Sequence, residues 1–173
     1  RERELLSRLD YEDGYSLYVG IPFCPTVCTY CSFSSGSLET WKDRVEDYLE
    51  ALCKELRFIA QRSKDKKLNT IYIGGGTPTT LTASQLDRLL NCIDESFSRK
   101  DLLEYTVEAG RPDSITREKL EILIQHQITR ISVNPQSMQQ KTLDIIGRRH
   151  TVEQIKETFA MAREVGFDNI NMD

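Results

Sequence analysis

Three of the five cysteines of this 173-residue chain, Cys24, Cys28 and Cys31, stand within eight positions of one another. With CxxxCxxC spacing on one short stretch, their thiolates can turn inward onto a single inorganic centre. A [4Fe-4S] cube held by three cysteines keeps one iron without a protein ligand, and an open iron is where a small molecule can chelate. A structural zinc site wants four closed ligands, and here the two histidines, His126 and His150, both lie far downstream. A disulfide belongs to an oxidising compartment, which an odd, clustered set without a signal peptide does not suggest. The iron-sulfur reading leads.

The elements that must position these cysteines alternate between strand and helix. Leu17 to Ile21 is β-prone and ends at Pro22, so it is predicted as a first strand delivering the cysteine loop at its carboxyl end. Ser35-Gly36-Ser37 closes that loop. Apolar residues Val45, Tyr48, Leu49, Leu52, Leu56 and Ile59 predict one helix over Trp41 to Arg62, with Cys53 a small packing residue beside the stripe. A second strand, Thr70 to Ile73, breaks into Gly74-Gly75-Gly76-Thr77-Pro78, where absent Cβ atoms let a ligand approach the main chain. The Gly-Lys of a phosphate-binding P-loop is missing there. Thr82 to Phe97 follows as a helix with Leu86, Leu89, Leu90 and Ile93 on one face and Cys92 in the packing.

A third strand, Glu104 to Glu108, ends on a carboxylate, and Gly110-Arg111-Pro112-Asp113 turns the chain. Ser114 or Thr116 caps the next helix, which runs through Leu120, Leu123 and Ile124 and places His126 at its C-terminus or in solvent. Thr129 to Val133 is a fourth strand; Pro135 cannot extend a paired interior strand, so Gln136 lies just beyond it. Leu143, Ile145 and Ile146 make a short apolar turn before Gly147-Arg148-Arg149-His150. Thr151 opens a helix, with Glu153 or Gln154 in reach of a capping box, that ends near Gly166; Phe167 to Asp173 starts a fifth strand. Alternation of this kind is the pattern of a parallel sheet with crossover helices, in which ligand chemistry collects at the carboxyl ends of the strands.

With 39% hydrophobic and 29% charged residues, the composition fits one globular domain. A net charge of -4 with dispersed Lys and Arg offers no basic patch for nucleic acid. The Lys64 to Lys67 cluster is expected in a solvated loop. No apolar run reaches the 18 or so residues of a membrane span, and the opening RERELLSRLDYEDGY lacks the apolar segment of a secretory signal. Free thiols and a labile cluster point to a reducing cytoplasm.

The cysteine spacing, with aromatic Tyr30 before the last cysteine, resembles the radical S-adenosylmethionine (SAM) superfamily. The phrases IPFCPTVCTYCSF, IYIGGGTPTTL, TVEAGRPDSIT, ISVNPQS and IIGRRHT resemble more narrowly the oxygen-independent coproporphyrinogen III oxidase group, and most its HemZ-type coproporphyrinogen dehydrogenase branch. The resemblance implies an α/β fold, a partial parallel (β/α) barrel that this chain fills with about four βα units and a fifth strand, at roughly 30 residues per unit. Because no Met opens the chain, residues 1–14 are expected to be a linker or helix from a longer protein. Residues 15–173 are then the N-terminal part of a radical SAM core, incomplete at its C-terminal end and with its last strand at an uncovered edge.

The same resemblance implies cluster ligands at Cys24, Cys28 and Cys31 and a first SAM contacted by Tyr18, Tyr30, Gly75 and Glu108. A second SAM would meet Gly76, Thr77, Gln136, Arg148 and Asp173. Arg148 offers a forked donor for a carboxylate; the plain alternative for it is a helix-end cation on a solvated face. The implied reaction converts two propionates of coproporphyrinogen III to vinyl groups, giving protoporphyrinogen IX, with an unidentified electron donor as partner. Arg111 and Arg149 are candidates for the substrate carboxylates. Ser32-Phe33 departs from the Gly-Cys of the founding oxidases. An aromatic at the second of these positions also occurs in haem carriers of the same group, so a haem-binding chaperone is the second reading.

Overall fold

Side chains of a strand point alternately to opposite faces, so a strand whose every second residue is apolar can cover a core with one face only. The chain is described by a computed structural model for Glu4, Ser7, residues 12–33 and residues 36–173. Its strands are β1 (Gly14–Ile21), β2 (Phe23–Cys24), β3 (Gly36–Ser37), β4 (Lys67–Gly75), β5 (Glu104–Gly110), β6 (Arg130–Val133) and β7 (Ile170–Met172). Five of them form a single parallel sheet in the order β1-β4-β5-β6-β7, while β2 and β3 pair separately. The order is linear and the sheet open, with β1 and β7 at its edges. This is the expected α/β architecture of four βα units and a fifth strand.

The helices are α1 (Leu38–Trp41), α2 (Val45–Arg62), α3 (Ala83–Ser96), α4 (Arg117–Gln125), α5 (Gln140–Ile145) and α6 (Val152–Val165). Leu17, Val19, Ile21, Ile71, Ile73, Tyr105, Val107, Ala109, Ile131 and Val133 form the apolar face of the sheet. They share one core with Leu49, Leu52 and Leu56 of α2, Leu86, Leu89, Leu90 and Ile93 of α3, and Leu120 and Leu123 of α4. Among the described residues, no helix is long and apolar enough to cross a membrane.

Several boundaries move for physical reasons. The helix expected over Trp41 to Arg62 starts as α1, passes through a 3-10 turn at Lys42–Arg44, and becomes regular only at Val45, where the apolar stripe begins to bury. Lys67 is strand rather than loop, because the main chain of β4 pairs back to Gly14 of β1 whatever its side chain does. The first strand likewise opens at Gly14, three residues before the apolar alternation. β7 is shorter than expected and starts at Ile170. The apolar turn at Leu143 is the short helix α5, with Leu143 as its buried residue. His126 is buried, its ring nitrogens 2.6 Å from Asp94 Oδ2 and 3.0 Å from Asp87 Oδ1 on α3, so it meets carboxylates rather than solvent. Most of the expected linker at 1–14, and Ser35, lie outside the described residues.

The caps follow the sequence closely. Thr82 and Thr151 each form a full capping box, with Gln85 and Gln154 as the reciprocating residues, and Thr116 accepts from the Lys119 N–H. Gly166 ends α6 in the left-handed conformation at φ 119°. An N-cap hydroxyl satisfies a helical N–H that has no other partner, so its loss costs about 1 kcal/mol. Thr82→Ala is therefore expected to lower the stability by about that amount and Thr82→Ser, an equal or better cap, to leave it nearly unchanged, as read from urea unfolding midpoints.

Candidate functional site

At the carboxyl end of the sheet, the loops after β1, β4, β5 and β6 enclose a cavity of about 270 Å³. Cys24, Cys28, Cys31 and Tyr30 come to it from the first loop, and Gly75, Gly76 and Thr77 from the second. Glu108 and Arg111 reach it from β5, Asn134 and Gln136 from beyond β6, and Arg148 from the segment before α6. Ten of the twelve residues expected to meet the cluster or SAM thus line one space. Tyr18 borders an adjoining hollow that shares Phe33, Gly75 and Gly76 with it. Asp173 stands apart from the cavity: its carboxylate accepts from Asn171 Nδ2 at 2.6 Å, and its main-chain carbonyl accepts the Gln136 N–H at 3.1 Å.

The glycine turn fits against the cysteine loop. Gly76 N–H donates to Ile21 O at 2.7 Å and Thr77 N–H to Phe23 O at 2.8 Å, which continues the β1–β4 pairing past the strand ends. A Cβ on Gly76 would lie 2.7 Å from Phe23 O and 3.0 Å from Cys24 Sγ, so only glycine fits this approach. Gly75 adopts φ 107°, a conformation that side chains other than glycine rarely take. The Thr77 hydroxyl donates to Cys24 Sγ at 3.5 Å. All three cysteines are free thiols, Cys24 buried and the others half-buried.

The polar face of the sheet supplies the rest. Tyr72 and Glu108 project to the same side of neighbouring strands, and Tyr72 Oη donates to Glu108 Oε1 at 2.5 Å. Burial, and then the bond to Glu108, push the Tyr72 phenol well above its usual pKa, so it stays a donor. Tyr18, 61% exposed, stacks on Tyr72 with ring centroids 5.9 Å apart. Its pKa is raised too, by burial and then by the Glu108 charge.

Arg148 is 9% exposed, which removes the reading of a solvated helix-end cation. Its Nη2 donates to Tyr30 Oη at 3.4 Å, while Nε and Nη1 are buried with no partner among the described residues, as is Asn134 Oδ1. A buried guanidinium with idle donors beside an idle amide oxygen suits a ligand carrying both an anion and a hydrogen-bond donor. Arg149 is exposed and does not line the cavity. Arg111 is not a free receptor for a substrate carboxylate, because its guanidinium is already bound to Asp113 and to Thr26.

Among the described residues, no three His, Cys, Asp or Glu side chains stand close enough together to hold one metal ion. The three cysteines nevertheless all line one cavity, which is compatible with a polynuclear centre that takes each thiolate at a different corner. The Cβ-free approach at Gly76, the hydroxyl on Cys24 and the idle Arg148 donors make the donor set fit such a centre together with an amino-acid-bearing ligand. Sequence reasoning missed Tyr72, Thr26 and Asn134. Tyr72 was discoverable, since buried Ile71 and Ile73 turn it to the opposite face, the face of Glu108; Thr26 carries no signal of its own.

The chain matches the family model described as the radical SAM superfamily over residues 18–173. It is 47% identical over 165 residues to the oxygen-independent coproporphyrinogen-III oxidase-like protein HemZ of Bacillus subtilis (strain 168), covering 94% of this chain and 33% of that protein. To the heme chaperone HemW of the same organism it is 38% identical, covering 91% of this chain and 41% of that protein. The solved structure of coproporphyrinogen III oxidase (HemN) from Escherichia coli, titled a radical SAM enzyme, superposes with a TM-score of 0.84 at 29% identity, over 100% of this chain and 40% of that one. The chain thus spans between a third and about two fifths of the length of these relatives.

Below the cavity, His150 is fully buried, with Nε2 donating to Pro135 O at 3.3 Å and Nδ1 3.9 Å from Asp113 Oδ1. Burial pulls its pKa below the usual histidine value; Pro135 and Asp113 oppose this, and Arg148 and Arg111 reinforce it. The unfolded chain takes up a proton there near pH 6.5 and the fold resists it, so stability is full above about pH 6.5 and falls as the pH drops below it. His150→Gln is expected to shrink the difference between urea midpoints at about pH 7 and about pH 5. An undiminished difference would mean that another group sets the acid sensitivity.

Proposed function

The chain belongs to the radical SAM superfamily, and from that premise we propose that it forms part of an enzyme of haem biosynthesis. The reaction is oxidative decarboxylation of two propionate side chains of coproporphyrinogen III, without oxygen, to give protoporphyrinogen IX. The observation that carries this reading is the convergence of three free cysteines, the glycine turn, Glu108, Gln136 and Arg148 on one cavity at the carboxyl ends of parallel strands. The resemblance to the HemZ protein at 47% identity supports the choice of branch.

In this reading Cys24, Cys28 and Cys31 hold a [4Fe-4S] cluster, and Tyr18, Tyr30, Gly75 and Glu108 receive a first SAM. Gly76, Thr77, Gln136 and Arg148 receive a second, with Asp173 meeting it from beside Gln136, whose N–H its carbonyl holds. When bound together and reduced by an electron donor, cluster and SAM supply a 5′-deoxyadenosyl radical for hydrogen abstraction, chemistry that belongs to the cofactors. The residues of the chain position and neutralise. Thr77 donates to the Cys24 sulfur and offsets thiolate charge. Tyr72 fixes one Glu108 oxygen and leaves the other to accept from an ammonium or a ribose hydroxyl. Arg148 turns two unpaired N–H donors toward a carboxylate.

One feature favours the second reading, a haem-binding chaperone. Phe33 follows the third cysteine by two positions, is 75% exposed and borders both hollows, where a flat apolar macrocycle finds an open ring to stack upon. Anaerobic reconstitution with iron and sulfide separates the two. The enzyme yields 5′-deoxyadenosine together with substrate-dependent protoporphyrinogen; the carrier binds haem stoichiometrically without turnover. Loss of the brown chromophore in Cys24→Ala, Cys28→Ala and Cys31→Ala is expected in either case. Arg148→Ala removes charge-assisted bonds worth about 1.5–3 kcal/mol, so SAM affinity measured by equilibrium dialysis is expected to fall about tenfold or more.

A further inference from the structure

Arg111 is 2% exposed, although it sits on a loop and carries a charge. Four of its five N–H donors are bound, to two partners. Nε and Nη2 form a fork with the Asp113 carboxylate at 3.0 and 2.7 Å, and Nη1 donates to Thr26 O at 3.0 Å and Thr26 Oγ1 at 2.6 Å. Thr26 lies midway between Cys24 and Cys28, so one side chain ties the cysteine loop to the end of β5.

The base of this tie is rigid. The turn carrying Asp113 is a 3-10 helix, Pro112–Ser114, closed by the Ser114 N–H on Arg111 O at 2.9 Å. Ser114 Oγ bonds Thr79 Oγ1 at 2.7 Å, and Lys119 Nζ donates to the carbonyls of Thr79 and Ser114 at 2.6 and 3.0 Å. Among the described residues between Cys24 and Phe33, the main chain is held by Cys31 N–H on Cys28 O at 3.1 Å and by Thr29 N–H on Ile146 O at a long 3.3 Å, with side-chain bonds from Thr77 to Cys24 and from Arg148 to Tyr30. Of the two buried arginines that meet the loop, Arg148 reaches Tyr30 Oη at 3.4 Å, whereas Arg111 grips Thr26 at 2.6 and 3.0 Å and is the tighter anchor.

We propose that Arg111 is the positioning residue of the cysteine loop: it sets how firmly the three thiolates hold their centre, and it tunes the reduction potential of that centre. This rests on the iron-sulfur reading above. Arg111 also lines the cavity, and one-electron reduction adds negative charge there. A guanidinium nearby favours the more negative state, with Asp113 offsetting part of the effect. Lysine keeps the charge but cannot serve Asp113 and Thr26 at once, because it lacks the planar fork.

The test compares wild type, Arg111→Met and Arg111→Lys, purified anaerobically and reconstituted with iron and sulfide, with folding checked by circular dichroism. Iron release to a ferrous chelator and the cluster midpoint potential, read by spectroelectrochemical titration, are measured for each. Arg111→Met is expected to release iron several-fold faster, below the roughly tenfold or greater effect of a group that bonds a ligand directly, because Arg111 acts through Thr26, and to shift its midpoint to more negative values. Arg111→Lys is expected to release iron faster with a midpoint near that of wild type. If Arg111→Met does not fold, the lysine variant decides alone, and iron release at the wild-type rate there overturns the role of the fork. Wild-type release and potential in Arg111→Met overturn the proposal while the iron-sulfur reading stands. A wild-type protein that takes up no cluster overturns both.

Discussion

The geometry of the site depends on two main-chain hydrogen bonds, from Gly76 to Ile21 and from Thr77 to Phe23, which continue strand pairing beyond the strands themselves. They bring the glycine turn so close to the root of the cysteine loop that no Cβ fits at Gly76. Cys24 is thereby buried against a turn that cannot retreat. Its neighbour Thr77 delivers a hydroxyl to the sulfur as a by-product of the same register. Arg111 completes the arrangement from the other side by gripping Thr26, so the loop is held at its root and at its middle.

The sheet serves two solvents. Parallel sheets are usually covered on both faces, and here the helices cover one. The residues between the buried ones, among them Tyr18, Tyr72, Glu104, Glu108 and Arg130, make the opposite face polar. They bond across strands, as in the Glu104–Arg130 pair at 3.5 Å and the Tyr72–Glu108 bond. The irregular register of β5 against β6 between Glu108 and Gly110 falls at the site, where a bulge can re-aim a side chain.

Much of this was legible in the residues because the determining interactions are local. Alternation located the strands; the stripe from Val45 to Ile59 located α2; Thr82, Thr116 and Thr151 announced helix starts, and Gly166 a helix end. The cavity was legible in part, since strand ends, glycines and cysteines mark the rim by type. What escaped was set by contacts distant in sequence. Lys67 looked like loop until its backbone found Gly14. Arg148 was assigned to a ligand carboxylate by resemblance, but nothing near it in the sequence announces that the Tyr30 loop will bury it or sets aside the plain alternative of a solvated cation. Arg111 looked like a receptor for substrate, because its partner Thr26 is 85 residues away.

Gln136 adopts a left-handed backbone at φ 66°, a strained state for a residue with a Cβ, and its N–H is held by the carbonyl of Asp173. The far margin of the sheet therefore meets the rim of the cavity at the Gln136 peptide unit, one bond beyond the β6–β7 pairing. Were the Asp173 carbonyl displaced, the Gln136 N–H would need another acceptor, at a residue whose backbone already occupies a sparsely populated state beside the cysteines' cavity.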